Sequence, residues 1–408
     1  MPPKILLVNG WKSGVPARLR ACEPEAEIHV ITEPACASMY DPADTPLYLV
    51  DDIADLTAVR THALALNKGR PFDHVVAPAE RSLPAGGYLR TLFGLPGIGF
   101  ETANRFSNKA AMKRTLSAAG LPTAPFRTVS DLDEVPAAAS ALGWPVIVKP
   151  AIGGGSQNTH VLRSAADVAR LADSAAGEPL KRLNCQLMVE AFLTLTGEYH
   201  CEGVVEDGVI GFTSVGRYHR PLFDSVDQLT GSVALPDHDP TAKQIRELHE
   251  LAVVLLGLRS GVTHLEVLRT ADGLVIGEIT CRPPASITKL VELQHGVDLW
   301  SAFAQTALGK PVTLPEPPAD STSTVAVTCE LPAKPGMVRR IPTADAWADL
   351  PEVVETTMAY RPGDVIGTRL HSSSYAGLVC LRANGLDDVP RLLAEVASRY
   401  FLDVEPNA

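Results

Sequence analysis

A lysine and a run of glycines could bind a phosphate group. Lys149 ends an apolar, β-branched strand, and Gly153, Gly154, Gly155 and Ser156 follow it closely. Consecutive glycines let backbone N–H groups converge on one point, and a lysine at the strand end adds a fixed positive charge. The chain has no G-x-x-x-x-G-K-[ST] motif, and no G-x-G-x-x-G turn follows its first strand. The pattern predicts a phosphate-binding loop of another kind, with a flexible surface hairpin as the alternative.

Two glutamates on the arms of a predicted β-hairpin form a candidate metal site. Glu266 precedes an Asp-Gly turn, and Glu278, Thr280 and Arg282 follow it at alternate positions that share one face. If the arms pair in register, the two glutamates come close together, and like charges there destabilise the fold unless a cation lies between them. The pattern predicts a Mg²⁺ site, with Arg282 offering a planar fork to a phosphoryl group. The alternative is a solvated cross-strand face of charges.

A third group could recognise a nucleoside. Glu190 interrupts an apolar strand, Leu193 follows it, and Glu198 comes after a glycine. Such a segment can offer backbone groups to an adenine edge and a carboxylate to ribose hydroxyls. Two surface glutamates on an edge strand are the alternative.

Substrate recognition has weaker signals. Arg217, His219 and Arg220 form a basic patch that could bind a carboxylate, or a solvated loop. His264 could orient a substrate or pack in the core. Ser286 follows two prolines after Arg282, where a rigid wall of an acceptor pocket is predicted.

The elements that must position these residues divide the chain into four predicted units. Short apolar runs alternate with helical segments in residues 1–103, which predicts a parallel α/β layer. Residues 104–185 read as an α+β unit that begins with a helix over 104–119 and contains the glycine loop. Residues 186–312 read as a second unit of antiparallel strands, because Asp-Gly turns at 207–208 and 272–273 predict hairpins. A proline-rich linker at 310–318 leads into a β-rich segment, residues 313–408.

Composition excludes several function classes. The 408 residues carry 36 Lys and Arg against 47 Asp and Glu, a net charge of −11, which argues against binding nucleic acid or anionic lipid through general electrostatics. The seven cysteines are scattered without a C-x-x-C pair, as expected in a reducing cytoplasm. The first apolar run is too short for a secretion signal, and no later run reaches the ~18 apolar residues of a membrane span. The sequence predicts a cytoplasmic protein.

The order of these groups resembles the ATP-grasp superfamily, and in particular its carboxylate–amine ligases of the L-amino acid ligase kind. The resemblance rests on Lys109, Lys149 with its glycine loop, the segment from Glu190 to Glu198, and Glu266 and Glu278 with Arg282. It covers most of the chain through three longer segments: AERSLPAGGYLRTLFGLPG, NKAAMKRTLSAAGLPTAPF and VTHLEVLRTADGLVIGEITCRPPAS. It implies a fold of mixed α/β and α+β class, with an N-terminal parallel α/β domain, two α+β lobes that clamp ATP, and a C-terminal β-rich subdomain.

The resemblance also implies roles for single residues. Lys109 and Lys149 would contact the α- and β-phosphates, and the loop at 153–156 would close over the β- and γ-phosphates. Glu190 would face the adenine amino group, Leu193 would offer its backbone to the ring, and Glu198 would bind the ribose. The metal ligands would be Glu266 and Glu278, while Arg282 would neutralise charge on the transferred phosphoryl group and the acyl intermediate.

One position departs from the family pattern. Thr280 stands where many members have an asparagine, and its hydroxyl is a weaker metal ligand, so the resemblance implies one Mg²⁺ more firmly than two. The L-amino acid ligase branch also lacks that asparagine and retains the arginine.

The implied reaction activates a carboxylate. ATP would phosphorylate it to an acylphosphate, an amine would displace the phosphate to form an amide, and ADP and phosphate would be released. Substrates would be small-molecule carboxylates and amines, with amino acids first, and a homodimer is implied by resemblance alone. The alternatives are a bicarbonate-using enzyme like biotin carboxylase or the carboxylating synthetase of purine synthesis, and an inert nucleotide-binding scaffold.

Overall fold

The computed structural model describes residues 1–222, 228–318, 321, 323–368, 370 and 374–406. The predicted units 186–312 and 313–408 therefore each contain positions outside the described residues. Within the described residues, no helix combines the length and the apolar character needed to cross a lipid bilayer.

The N-terminal unit is a parallel sheet with helices on its faces, which confirms the predicted α/β layer. Its strands lie in the order β3-β2-β1-β4, and every neighbouring pair is parallel. The residues of β1 are fully buried, as expected for a strand covered on both faces. The strands are β1 Lys4–Val8, β2 Glu27–Thr32, β3 Leu47–Leu49 and β4 His74–Val76, and the helices are α1 Val15–Cys22, α2 Leu56–Leu66 and α3 Leu83–Phe93.

The single helix predicted over residues 104–119 is two helices. Helix α4 spans Phe100–Arg105 and helix α5 spans Lys109–Ala118. Asn108 separates them because its side chain accepts hydrogen bonds from the backbone N–H groups of Ala110 and Ala111, as an N-cap does. The break places Lys109 in the first turn of α5.

The first lobe is a four-stranded antiparallel sheet in the order β5-β8-β6-β7. Its strands are β5 Phe126–Val129, β6 Val146–Pro150, β7 His160–Leu162 and β8 Leu187–Ala191, and its helices are α6 Val135–Leu142, α7 Ala165–Ala172 and α8 Glu178–Lys181. The predicted second unit, residues 186–312, includes β8, whereas β8 pairs with β5 and β6 of the first lobe. Apolar alternation identifies the faces of a strand but not its partner, so the sequence could not assign β8 to its sheet.

The second lobe is built on an antiparallel sheet whose two predicted hairpins are confirmed. Asp207 and Gly208 both have positive φ, 50° and 83°, in the turn between β9 and β10, and β12 pairs with β13 across the second Asp-Gly turn. The elements are β9 Gly197–Glu206, β10 Val209–Tyr218, β11 Thr230–Ala234, α9 Pro240–Leu256, β12 Gly261–Thr270, β13 Gly273–Thr280, α10 Ile287–His295 and α11 Leu299–Ala307.

The C-terminal segment extends the same sheet. Its eight strands run in the order β13-β12-β9-β10-β11-β14-β18-β16, so the sheet crosses the linker at 310–318. A separate three-stranded sheet has the order β17-β15-β19. The elements are β14 Val325–Pro332, β15 Gly336–Arg340, β16 Val353–Met358, β17 Val365–Ile366, β18 Tyr375–Ala383, α12 Val389–Arg399 and β19 Asp403–Glu405.

A shared apolar core fixes the N-terminal sheet onto the second lobe. Ile5 and Val30 of the sheet belong to one buried cluster with Ile287 of α10 and Phe303 of α11. Burying apolar side chains from both units stabilises one relative placement. The loops that follow β1 and β4 contact the second lobe, because Lys12 lies over the Trp300 ring and Glu80 pairs with Arg282.

Candidate active site

One face of the large sheet carries a row of polar residues that leads to the predicted metal pair. Strand register places Glu278 opposite Glu266, Glu266 opposite His200, and His200 opposite Gly216. Directly opposed residues share a face of the sheet, so the row crosses four strands on one side. Gly216 leaves room for the imidazole, because a Cβ at that position would lie 2.3 Å from His200 Nε2.

Glu266, Glu278 and Thr280 form a donor set that suits a hard divalent cation. The Thr280 hydroxyl is buried and has no hydrogen-bond partner among the described residues, so an oxygen donor is left over beside the two carboxylates. Lys109 Nζ lies 2.8 Å from Glu278 Oε1. In the described part of the chain, no three or more His, Cys, Asp or Glu side chains are arranged to hold a metal ion by themselves, so phosphate oxygens or water would have to complete the coordination of Mg²⁺.

A buried histidine–glutamate network supports the first of these carboxylates. Glu202 lies between two imidazoles, with its Oε1 2.7 Å from His264 Nδ1 and its Oε2 2.8 Å from His200 Nδ1. His264 Nε2 lies 3.5 Å from Glu266 Oε1. Burial alone would lower the pKa of His264, but hydrogen bonds to Glu202 and Glu266 outweigh it and raise that pKa to about 9. The raised pKa favours the charged imidazole, and His264 contacts Glu266 from two positions earlier on the same strand.

Lys149 is held by Glu190, the residue that the resemblance places beside adenine. Glu190 of β8 contacts Lys113 Nζ through one oxygen, and its Oε2 lies 2.7 Å from Lys149 Nζ. Burial alone would raise the pKa of Glu190, but the two ammonium groups outweigh it and lower that pKa to about 2. The Glu190 carboxylate is thus occupied by the lysines, and its strand pairing with β6 brings it to Lys149.

The glycine loop lies beside Lys109 and Glu80. The carbonyl oxygen of Gly153 accepts a hydrogen bond from Lys109 Nζ, and a Cβ on Gly154 would lie 3.2 Å from the Glu80 carboxyl carbon. Gly155 and Ser156 have positive φ, 65° and 56°, a backbone conformation that turns successive N–H groups toward one side. The loop therefore closes against the same groups that surround the metal pair.

Arg282 pairs with a carboxylate from the N-terminal sheet. Its Nη2 contacts Glu80 Oε1, and its Nη1 donates to the Pro283 carbonyl at 2.8 Å. Burial would raise the pKa of Glu80, but the Arg282 charge and hydrogen bond outweigh it and lower that pKa to about 2. The pair joins the second lobe to the loop after β4, and Arg282 Nε is buried without a partner among the described residues.

Leu193 and Glu198, which are predicted to bind the nucleoside, lie where the two lobes meet. Leu193 is half-buried in the segment between β8 and β9. Two backbone hydrogen bonds hold this segment: Phe192 N donates to Pro145 O at 3.2 Å, and Thr196 N donates to Arg269 O at 2.8 Å. Glu198 is buried at the start of β9, and its Oε2 accepts a hydrogen bond from Leu222 N at 2.8 Å.

The basic patch after β10 does not face the cleft as one group. Arg217 is exposed, whereas His219 is half-buried and lies 2.8 Å from the Thr328 carbonyl through its Nε2. Burial lowers the pKa of His219 to about 4. Arg220 contacts Gln228. The three side chains therefore have different surroundings, and no contact among the described residues joins them.

Ser286 contacts a buried carboxylate of the C-terminal segment. Its hydroxyl donates to Glu330 Oε1 on β14, and burial raises the pKa of Glu330 to about 7. The Ser286 hydroxyl is the one hydrogen-bond partner that the described residues give this carboxylate. The segment after Arg282 is thus fixed to β14.

Several residues of this cleft were missed from the sequence, although two had a usable signal. Lys113 lies four positions after Lys109, on the same face of α5, and that spacing alone could have paired them. Glu80 follows the carboxyl end of β4, where ligands of parallel sheets bind. Glu202 and Glu330 depend on contacts between distant strands, which spacing along the chain does not reveal.

Comparison with known proteins agrees with this arrangement. A model described as an ATP-grasp domain matches residues 114–287, and one described as L-amino acid ligase C-terminal domain 2 matches residues 331–404. The chain is 32% identical over 98% of its length to the L-arginine-specific L-amino acid ligase of Bacillus subtilis, of which it covers 97%.

Solved structures share the whole fold. The L-amino acid ligase from Bacillus licheniformis superposes with a TM-score of 0.72 at 18% identity, with 99% of this chain and 100% of that chain covered. The N5-carboxyaminoimidazole ribonucleotide synthetase from Thermotoga maritima gives 0.68 at 15% identity, with the same coverage.

The C-terminal match and the full-length relative favour amide formation over the bicarbonate-using and inert alternatives. This chain belongs to the L-amino acid ligases of the ATP-grasp superfamily, which are ATP-dependent, ADP-forming carboxylate–amine ligases.

Proposed function

We propose that this ligase phosphorylates the carboxylate of an L-amino acid and joins the acylphosphate to the amino group of a second amino acid. The observation that carries the proposal is one cleft in which phosphate-binding and metal-binding groups meet. Lys109 bridges the glycine loop and Glu278, and the loop in turn lies against Glu80, the partner of Arg282.

The triphosphate would bind to Lys109, Lys149 and the glycine loop. Glu190 would hold Lys149 in place and would meet the adenine through its backbone, because its carboxylate is occupied by lysines. Leu193 would offer its backbone to the ring and Glu198 would bind the ribose from the segment where the lobes meet.

Glu266, Glu278 and Thr280 would hold Mg²⁺, which when bound neutralises phosphate charge. Two carboxylates and an unpartnered buried hydroxyl support this assignment. His264 would keep Glu266 oriented, and Lys109 would release Glu278 to the cation and turn to the phosphates.

The Arg282–Glu80 pair would receive the first amino acid. A zwitterion carries the two charges needed to replace that ion pair, with its ammonium on Glu80 and its carboxylate beside Arg282. The carboxylate oxygen would then attack the γ-phosphorus, the bond to the β-phosphate oxygen would break, and ADP would leave.

The amide bond forms in the second step. The ammonium of the second amino acid would lose one proton to solvent before the loop closes. Its neutral amine would then attack the acyl carbon, the bond from that carbon to the phosphate oxygen would break, and the departing phosphate would take up the second proton from nitrogen. Arg282 would neutralise the phosphoryl charge in both steps, and the glycine loop would exclude water that would hydrolyse the acylphosphate. Ser286 would line the acceptor pocket, while Arg217, His219 and Arg220 stay predicted carboxylate ligands.

We also infer a cytoplasmic location, which the unpaired, scattered cysteines support, and a homodimer by analogy with the family. The boundaries of the four predicted units stay predictions.

An ADP-release screen of amino acid pairs tests the proposed function. L-Arginine is the first donor to include, because a 32% identical relative is named as specific for it. We expect ADP release that requires ATP, Mg²⁺ and two amino acids together. ADP release that depends on bicarbonate, or none with any pair, would contradict the proposal.

A further inference from the structure

Lys12 lies in the loop between β1 and α1, and its backbone carbonyl accepts two hydrogen bonds. It follows β1, whose carboxyl end lies beside that of β4, the strand that leads to Glu80. The Asn9 side chain donates to the Lys12 carbonyl at 2.8 Å, and the backbone N–H of Val15 donates to the same oxygen at 3.3 Å. The carboxyl edge of a parallel sheet is where such folds bind ligands.

The Lys12 ammonium lies in the cleft without a counter-ion. Its Nζ sits 5.8 Å from the centre of the Trp300 ring, and no carboxylate of the described residues is within ion-pair distance of it. Lys109 and Lys149 differ, because each contacts a glutamate. Burial and the nearby Arg282 charge lower the pKa of Lys12 to about 8, with Glu80 opposing them.

A partly desolvated cation of this kind is stabilised by an anion that arrives with a ligand. The phosphates already have Lys109, Lys149, the glycine loop and Arg282 under the proposed function. The carboxylate of the first amino acid is consumed as acylphosphate. The anion left over is the carboxylate of the second amino acid.

We propose that Lys12 binds the free α-carboxylate of the amino acid that supplies the amine. This inference rests on the proposed function and deepens it, because it restricts the acceptor to amines that carry a carboxylate. It also places the acceptor on the N-terminal side of the cleft, next to Glu80 and Arg282.

The test compares each acceptor amino acid with its primary amide, which keeps the amine and removes the negative charge. For the wild-type enzyme we expect kcat/KM in ADP release to be at least ~10-fold higher for the acid, as a charge-assisted hydrogen bond implies. Lys12→Met should lose most of that preference, because its KM for the acid should rise while its KM for the amide stays nearly unchanged. Lys12→Arg should keep a preference for the acid.

The controls separate this role from others. Lys68→Met removes an exposed lysine of the same unit and should change neither ratio. An acid-to-amide ratio in Lys12→Met equal to that of the wild type would overturn the inference, and so would an equal loss with both acceptors. A large rise in the KM for ATP with an unchanged ratio would assign Lys12 to phosphate and likewise overturn it.

A binding measurement keeps the inference testable apart from turnover. In the presence of the donor and a nonhydrolysable ATP analogue, L-alanine should raise the unfolding midpoint of the wild type more than L-alaninamide does, and Lys12→Met should lose the difference. An equal effect of the two ligands on the wild type would contradict the inference. If the ADP-release screen fails, the proposed function is contradicted. The comparison of L-alanine with L-alaninamide by unfolding midpoint then still decides whether Lys12 binds a carboxylate.

Discussion

Glu278, Glu190 and Glu80 each hold a basic side chain in the cleft. Their partners are Lys109, the pair Lys113 and Lys149, and Arg282. These contacts keep long, flexible cations inside the cleft before substrates arrive, and under the proposed function substrate groups then replace the Glu278 partner of Lys109 and the Glu80 partner of Arg282. The carboxylates therefore act before the reaction as well as during it.

Among the residues of the cleft, Glu278 is the one whose substitution should reduce ADP release most. We expect Glu278→Gln to reduce ADP release at least about 100-fold, because it removes a charged metal ligand and the partner of Lys109. The unfolding midpoint should stay close to that of the wild type, since the side chain is on the cleft face. Glu250→Gln, an exposed change on α9, is the matched control. Near-normal activity of the Glu278 variant would refute the assignment.

Glu330 should make stability depend on pH. Burial raises its pKa from 4.5 to about 7, so the folded state binds more protons than the unfolded state between these values and stability falls as the pH rises. Glu330→Gln removes the titration, so its stability relative to the wild type should improve by up to roughly 3 kcal/mol between pH 5 and pH 8.

Urea unfolding of both proteins at the two pH values measures this difference. The exposed Glu250→Gln variant should show no comparable change. A stability difference between Glu330→Gln and the wild type that is the same at pH 5 and pH 8 would show that the carboxyl group does not titrate in this range.

Sequence patterns could predict residues whose roles depend on their neighbours along the chain. They missed residues whose roles depend on contacts with distant parts of the chain. The pairing of Glu266 with Glu278 was predicted from their hairpin and is confirmed by the strand register. The contact of Lys149 with phosphate stays a prediction, and its observed partner Glu190 was not expected. Lys12 and Glu80 follow the carboxyl ends of parallel strands, where ligands bind, but their proximity to Arg282 depends on how the sheet packs onto the second lobe.

Strands β9 and β10, in the floor of the cleft, pack closely at one point. Gly216 of β10 faces the His200 ring on β9, and any side chain there must displace a buried imidazole. Local patterns predicted both hairpins, but the partner of β8 and the break before α5 depend on tertiary pairing and on the cap at Asn108.

Two alanine substitutions on β10 test this packing. Gly216→Ala should lower the free energy of unfolding by about 1–3 kcal/mol, as overpacking does, and should also displace His200. Gly211→Ala on the same strand meets nothing within 4 Å and should change stability by less than about 0.5 kcal/mol. Equal effects in urea unfolding would show that the imidazole does not occupy the space beside Gly216.

The molecule is joined across its predicted boundaries by one sheet. Strand β14 pairs with β11, and Ala326 N donates to the Gln294 side chain of α10 at 2.6 Å. Composition could mark the linker at 310–318, but the continuity of the sheet depends on pairing between strands far apart in the chain.

A cut in the linker tests that continuity. With a protease site inserted near Leu314, we expect the cleaved fragments to elute together in native size-exclusion chromatography, because separation would expose the edge of β11 and the apolar core around Val233 and Val327. Fragments that separate without denaturant would contradict the shared sheet.

The central claim is that the cleft makes an acylphosphate, and oxygen transfer tests it most directly. The donor amino acid is labelled with ¹⁸O in its carboxylate, and the inorganic phosphate formed with ADP is analysed by ³¹P NMR. Phosphoryl transfer to the carboxylate predicts that each phosphate carries one oxygen from the donor, in a one-to-one ratio with amide. Unlabelled phosphate formed together with amide would contradict the account.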